Sequence, residues 1–236
     1  MNKNSLIELL PKQIQELIFY KGELIDLTLS KIVCVVDEPI EHIFFPTDGF
    51  ISLVQSLDQH PPLEIGMIGR EGMLGSEIAL DIQNNLFGAL VQGSGNAWKL
   101  EKNDFLEIIK THIELKNIIL SYMAVRIKQL SLSAACEHFH EIGPRLAKWL
   151  LMSEDRAQSI TFLMTHEFIS LMLGVRRVGI TTAAAEFRRN GLIEYRRGEM
   201  KILNRPALMA ASCSCYLQNR KIYSTFIGQP KLNQTL

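Results

Sequence analysis

Between Leu173 and Ile193 the chain carries four arginines and one carboxylate in 21 residues, although the 236-residue sequence as a whole has a formal net charge of zero. Arg176, Arg177, Arg188 and Arg189 are the cations and Glu186 is the acid. Guanidinium groups at this density suit anion binding, because the planar fork presents paired N–H donors to phosphate oxygens or to guanine O6 and N7. Arg176 and Arg177 stand where a helix is expected to begin. A positive charge there opposes the helix dipole, and an anion outside the protein offsets that cost. The side chains that reach bases from a recognition helix cluster at its N-terminal end. Arg177 is therefore read as the guanine-gripping residue and Arg176 as a phosphate contact. Val178 is placed to touch a thymine methyl, and Thr181 or Thr182 to donate to a base edge or a phosphate. Arg188 and Arg189 lie too far along the helix for bases and are expected in solvent.

These side chains need a frame. Thr165-His166-Glu167-Phe168 reads as a helix start, with Thr165 as N-cap and an acid in the first turn. "EFISLML" supplies an apolar face and Gly174 ends the helix. A second helix is expected from Arg176 or Arg177 to about Asn190, stopped by Gly191. Gly179 costs about 1 kcal/mol in its interior, so something should approach closely there, either the neighbouring helix or a DNA backbone. Ala183-Ala184-Ala185 is read as small residues packing against the first helix. "IEYRRGEMKIL" predicts strand, turn and strand, with the bend at Arg197-Gly198 and with Arg196 and Arg197 grazing phosphates. Helix, glycine turn, helix and hairpin together make a winged helix-turn-helix, and double-stranded DNA is the expected partner.

The charge is divided along the chain in the same sense. Residues 1–140 hold 11 Lys+Arg against 18 Asp+Glu, whereas residues 141–236 hold 14 against 7. A basic half beside an acidic one points to nucleic acid or another anionic surface. With 47% hydrophobic and 21% charged residues the chain is a folded globular protein rather than a disordered one. No apolar run reaches the roughly 20 residues of a membrane-spanning helix, and "MNKNSLIELLPKQ" lacks a signal-peptide core. The cytoplasm is expected, with no membrane partner.

From Leu27 to about Leu100 short β-branched and aromatic runs alternate with turn residues, as in "LTLSKIVCVV" and "HIFFPTDGFISLVQSL". The second is broken at Pro46-Thr47-Asp48-Gly49. An antiparallel barrel or sandwich is expected. A stretch free of Gly and Pro then runs from a cap at Asn103-Asp104 to about Cys136 and predicts one long helix. Its apolar residues form two stripes. Ile113, Leu120, Met123, Ile127, Leu130 and Ala134 make one, and Ile118, Tyr122, Val125 and Leu132 make the other. Two stripes need two partners: the chain's own β-domain and the helix of a second subunit. The dimer contact is assigned to Leu120, Met123, Ile127, Leu130 and Ala134. "RLAKWLLMSEDRA", after Gly143-Pro144, reads as a short amphipathic helix.

The expected fold is thus α+β, with three parts: a jelly-roll-like antiparallel β-roll over 1–103, a long dimerisation helix and hinge over 104–140, and a winged helix-turn-helix over 141–236. The four cysteines read as reduced thiols. Cys213-x-Cys215 invites a metal or redox reading, but no second Cys or His pair lies near it at ligand spacing, so no metal is assigned. Enzymatic activity is not expected: a cupin-like site needs an H-x-H pair among the strands, residues 27–100 have none, and His138 and His140 lie beyond them. The alternative to a DNA regulator is a small-molecule- or protein-binding barrel whose basic domain docks an acidic partner.

On these residues the chain resembles the Crp/Fnr family of bacterial transcription regulators. "THEFISLMLGVRRVGITTAAAEFRRNGLIEYRRGEMKIL" matches the family's DNA-binding segment, and "HIFFPTDGFISLVQSL", "EIGMIGREGMLG" and "RLAKWLLM" match its β-roll and hinge-helix region. The resemblance implies a homodimeric regulator with a β-roll sensor, and RNA polymerase and a small-molecule effector as further partners. By position, Arg177 falls on the family's base-reading arginine and Arg176 where a Ser usually opens the recognition helix. Thr165 and His166 fall on the phosphate-contacting start of the preceding helix. Val178 and Thr182 stand where the family's catabolite activator has Glu and Arg, so a different DNA sequence is expected. The family's cyclic-nucleotide cassette sets an Arg on the cyclic phosphate, yet Glu71 through Trp98 contain no Lys or Arg. Cyclic AMP or GMP is therefore not expected. Residues 1–33 lack the cysteine cluster of the oxygen-sensing members, and His42, His60 and His112 are scattered. No cofactor is evident, and the effector stays unidentified.

Overall fold

The structure, a computed structural model, describes residues 4–196 and 198–227. The chain begins with α1 (Ser5–Glu8) and α2 (Lys12–Lys21). Asn4 caps α1 by accepting from the amides of Leu6 and Ile7, and its amide donates to Pro46 O and Gly72 O at 2.8 Å each. The helix is thereby tied to the strands that follow.

Seven of those strands form two antiparallel sheets. They are β1 (Glu23–Leu27), β2 (Ile32–Cys34), β3 (His42–Pro46), β4 (Phe50–Gln55), β5 (Leu63–Ile68), β6 (Gly88–Gly93) and β7 (Gly95–Glu101). One sheet has the order β1-β7-β3 and the other β2-β6-β4-β5. The expected break at Pro46-Gly49 is a turn with Gly49 at φ +67°. Within the run 27–36 the chain turns, as the alternation of short strands and turns leads one to expect. Ser30 takes φ +65° and turns the chain, leaving β2 only three residues.

The expected single long helix is two: α3 (Lys102–Thr111) and α4 (Ile113–Phe139). His112 between them is extended, at φ −131° and ψ 94°. Thr111 Oγ1 donates to the carbonyls of Glu107 and Ile108, and the His112 ring bonds Ile108 O at 3.1 Å. These side-chain bonds add to the backbone bond that His112 N already makes to Ile108 O, and so fix the last turn of α3 where the chain leaves the helix. Asn103-Asp104 does not cap α3; Glu101 stands at the cap, and Asp104 in the first turn pairs with Lys21 at 2.7 Å.

After α4 come α5 (Ile142–Ala157), β8 (Thr161–Leu163), α6 (His166–Met172), α7 (Arg177–Arg189), β9 (Ile193–Arg196), β10 (Glu199–Ile202), α8 (Arg205–Ala211) and α9 (Cys215–Phe226). β8, β10 and β9 form a third antiparallel sheet, of which β8 had no counterpart in the sequence reading. The mixed α+β architecture, with antiparallel sheets first, the long α4 in the middle and the helix-turn-helix last, is the expected one.

Packing crosses the sequence halves. Phe50 of β4 and Met67 of β5 join the core of α5, α6, α7 and the third sheet. Ile222 and Tyr223 of α9 join a core built by α1, α2, α3 and α4. Leu115, Ile119, Tyr122 and Val125 are the fully covered side of α4. Two of these come from the expected inner stripe. Leu115 extends it by one helical turn toward the N-terminus, and Ile119 is buried beside the stripe's Ile118.

Candidate nucleic-acid interface

The frame of the site is set by two turns. α6 is capped by Thr165, whose Oγ1 accepts from Phe168 N at 3.1 Å. It ends at Gly174, with φ +62°, a conformation that a side chain strains. α7 leaves at 115° to α6, within the range of a helix-turn-helix. Arg145 Nη2 donates to Leu173 O at 2.6 Å, so a buried arginine of α5 holds one of the carbonyls left open where α6 ends.

α7 packs by Ile180, Ala183, Ala184 and Phe187. Ala183 and Ala184 are buried and Ala185 is exposed, so the small-residue reading holds for two of the three. A Cβ on Gly179 would stand 2.6 Å from Ile142 Cδ1 of α5. The close neighbour is therefore α5, neither α6 nor DNA.

The opposite edge of α7 is open. Arg176 is the N-cap residue and Arg177 the first helical residue, and both side chains are exposed, as are Val178, Thr181 and Thr182. Val178 is 68% exposed, and no core contact explains an apolar side chain there. Arg177 Nε lies 3.6 Å from Glu167 Oε2, with both side chains largely in solvent. An exposed pair of this kind contributes about 0–1 kcal/mol, which a phosphate or a guanine edge readily replaces. Arg188 and Arg189 are exposed at the far end of α7, where their charge complements the helix dipole.

His166 has a positioning place. Its ring stacks on Tyr195 of β9, with centroids 4.2 Å apart, and its Nδ1 lies 3.2 Å from Thr181 Oγ1. Burial, and then the Arg177 guanidinium, holds its pKa below the usual imidazole range. The ring therefore ties α6, α7 and β9 together as a neutral group. In the wing, Gly198 turns the chain at φ +83° and Arg196 is exposed. Arg197 lies outside the described residues.

Two links that the sequence reading missed join this frame to the β-roll, and a third joins α4 to it. Arg156 of α5 pairs with Glu71 at 2.8 Å, both buried. Trp149 Nε1 donates to Glu64 Oε1 of β5 at 2.9 Å, and Ser52 Oγ donates to Oε2 at 2.6 Å. Burial pushes the Glu64 carboxyl up to about 7, against the hydrogen bonds from Ser52 and Trp149. Arg126 of α4 folds inward and donates to Met67 O at 3.1 Å, joining α4 to β5.

On the β-roll, a cavity of about 360 Å³ is lined by residues that include Val33, Cys34, Glu38, Glu41, His42 and Asn85. Two carboxylates and no Lys or Arg line it among the described residues, a poor place for a cyclic phosphate. His42 Nε2 pairs with Glu101 at 2.9 Å.

The cysteine pair does have partners. Cys136 and His140 at the end of α4 come to Cys213 and Cys215, and one ligand atom from each lies within 4.8 Å of all the others. The expectation that the C-x-C pair has no second pair near it is thus overturned. The missing neighbours are about 75 residues away in sequence, and α9 packing along α4 brings them in.

Residues 144–211 match the family model of the Crp-like helix-turn-helix domain. No curated protein is significantly similar to the chain. Among solved structures, FixK2 from Bradyrhizobium japonicum superposes with a TM-score of 0.68 at 13% identity, over 82% of this chain and 98% of that one. A Crp/Fnr-family transcriptional regulator from Eubacterium rectale gives 0.67 at 17%, over 87% and 96%. CLP of Xanthomonas campestris, a c-di-GMP-responsive global regulator, gives 0.64 at 12%, over 81% and 99%. The chain has the fold of Crp/Fnr regulators, and its C-terminal part carries their helix-turn-helix domain.

Proposed function

We propose that the protein is a homodimeric transcription regulator that reads double-stranded DNA with the N-terminal edge of α7. The observation that carries this reading is the open edge itself. Arg176, Arg177, Val178, Thr181 and Thr182 face solvent together from a helix whose other side is fixed in a core. Arg177 grips a guanine, Val178 meets a thymine methyl, and Arg176 with Thr182 holds phosphate. Thr165 and His166 act mainly by fixing α6 and α7, since the Thr165 hydroxyl is spent on its cap and one nitrogen of the His166 ring on Thr181.

The dimer reading is supported by α4. Leu120, Met123, Ile127, Leu130 and Ala134 follow the alternating three- and four-residue steps of a two-stranded coiled-coil seam. Leu120, Ile127, Leu130 and Ala134 are exposed in the single chain, and Met123 is partly covered. A second α4 covers the stripe and sets two recognition helices about 34 Å apart, one turn of DNA. The β-roll cavity is the place for an effector, and Glu38 and Glu41 select a neutral or cationic molecule over a cyclic nucleotide. RNA polymerase is the further partner such a regulator needs. No single helix among the described residues is long and apolar enough to cross a membrane.

Selection of bound fragments from random DNA tests the reading. A near-palindromic motif with half-sites one turn apart is expected. Recovery of fragments with no shared motif contradicts sequence-specific binding.

A further inference from the structure

Cys136 and His140 are one helical turn apart, on the last turn of α4 and at its C-cap, so their side chains lie over one another on one face. Cys213 and Cys215 come from the α8–α9 junction. The Cys136 and Cys213 sulfurs are 3.7 Å apart, and Cys215 Sγ is 3.5 Å from His140 Nδ1. A tetrahedral ion with metal–sulfur bonds of about 2.3 Å and metal–nitrogen bonds of about 2.0–2.1 Å has sulfur–sulfur edges of about 3.8 Å and sulfur–nitrogen edges of about 3.6 Å. The two edges seen here match both. The three cysteines are buried. From this geometry we propose that Cys136, His140, Cys213 and Cys215 bind a single tetrahedral thiophilic divalent cation, with zinc the best fit.

A second observation points the same way. Lys148 of α5 is only 7% exposed, and its Nζ donates to Cys136 Sγ at 3.3 Å. A buried ammonium needs a compensating negative charge. Three thiolates, one neutral imidazole and one divalent ion sum to a single negative charge, which Lys148 cancels. A Cys136–Cys213 disulfide gives a different balance, because both sulfurs become neutral and the ammonium loses the charged sulfur it touches, keeping only the field of carboxylates such as Glu137. It also leaves Cys215 and His140 with no role. Three sulfurs and an imidazole nitrogen form the closed donor set of a structural zinc site, with no open position for substrate.

The cation's mechanical role follows from its ligands. It joins the end of α4 to the start of α9, and Lys148 adds α5 from its outer side. Ile142 of the same α5 packs on Gly179 in the recognition helix. Loss of the ion frees the angle between α4 and α7. This consequence for DNA rests on the proposed function, whereas ion binding does not, so the two are measured apart.

Protein purified anaerobically under reductant is analysed for metal by mass spectrometry, then stripped and titrated with Co²⁺ in the absence of DNA. One equivalent of zinc is expected, together with a Co²⁺ spectrum showing thiolate charge-transfer and tetrahedral d–d bands that saturate at one equivalent. Cys213→Ser/Cys215→Ser abolishes the spectrum, and Lys148→Met weakens binding about 10–100-fold. If the double variant does not fold, the wild-type spectrum decides, because its charge-transfer intensity reports the thiolates directly. Folded, reduced wild-type protein that takes up neither ion overturns the proposal. So does a spectrum unchanged in His140→Ala and Cys213→Ser, or a Cys136–Cys213 disulfide in the anaerobic protein. DNA affinity of the stripped and loaded forms is then compared. Equal affinity removes the mechanical role and leaves the ion site standing.

Discussion

Gly174 turns the chain from α6 into α7 at φ +62°, and a Cβ there would stand 2.7 Å from Leu63 Cδ1 of β5. Backbone strain and the β-roll contact act on the same atom. Gly174→Ala should lower unfolding free energy by about 1–3 kcal/mol, from the left-handed penalty plus the displaced leucine, as read by denaturant titration. An unchanged midpoint would show that the turn relaxes freely. Glu64 offers a second test at this scale. Burial raises its carboxyl to about 7, so the folded chain holds a proton that the unfolded chain has already lost above about pH 4.5. This contribution is therefore present at low pH and disappears as pH rises through 7. Glu64→Gln keeps the neutral form at every pH. Its stability relative to wild type should rise by about 2–3 kcal/mol between pH 5 and pH 8, and a flat difference would contradict the assignment. Neither effect was legible in the sequence. Gly174 announced a turn but not its neighbour, and Glu64 lies 85 positions from the tryptophan that binds it.

At the scale of elements, what could be read locally was read. The capped start at Thr165, the glycine turn, the twin arginines and the hairpin are short-range signals, and α6, α7, β9 and β10 stand where those signals put them. Where side chains compete with the backbone, pattern alone misled. A run without Gly or Pro looked continuous from 104 to 136, yet the Thr111 and His112 side chains bond back onto the last turn of α3, His112 is extended, and the chain bends. The outer stripe of α4 was legible because its period is helical; what covers it is a matter of assembly. Leu130→Glu combined with Ile127→Glu places like charges across the seam, and sedimentation should show monomers with native circular dichroism. A dimer of unchanged strength would move the interface off α4.

For the whole molecule, the division of charge was visible at once, but the docking of one half on the other was not. The Glu71–Arg156 pair, the Glu64–Trp149 bond and the packing of α9 against α4 all join residues more than 60 positions apart. Through them the β-roll touches the frame of the recognition helix. The cysteine site is the strongest case: C-x-C looked isolated only because its partners are distant in sequence. On the proposed function, a signal at the β-roll would act by shifting a two-state balance in this shared frame. Phosphate contacts supply most of the affinity for DNA, so binding should weaken steeply with salt.

The most direct measurement compares wild type, Arg177→Ala and Arg177→Lys on the selected DNA motif and on single-base variants of it, each at several salt concentrations. Arg177→Ala should lose about 1–3 kcal/mol of discrimination at one base pair per half-site, with the preference elsewhere kept. Arg177→Lys should keep the salt dependence but lose the discrimination, since an ammonium cannot make the paired contact. Unchanged affinity and unchanged base preference in Arg177→Ala would contradict the assignment of α7 as the DNA-reading helix.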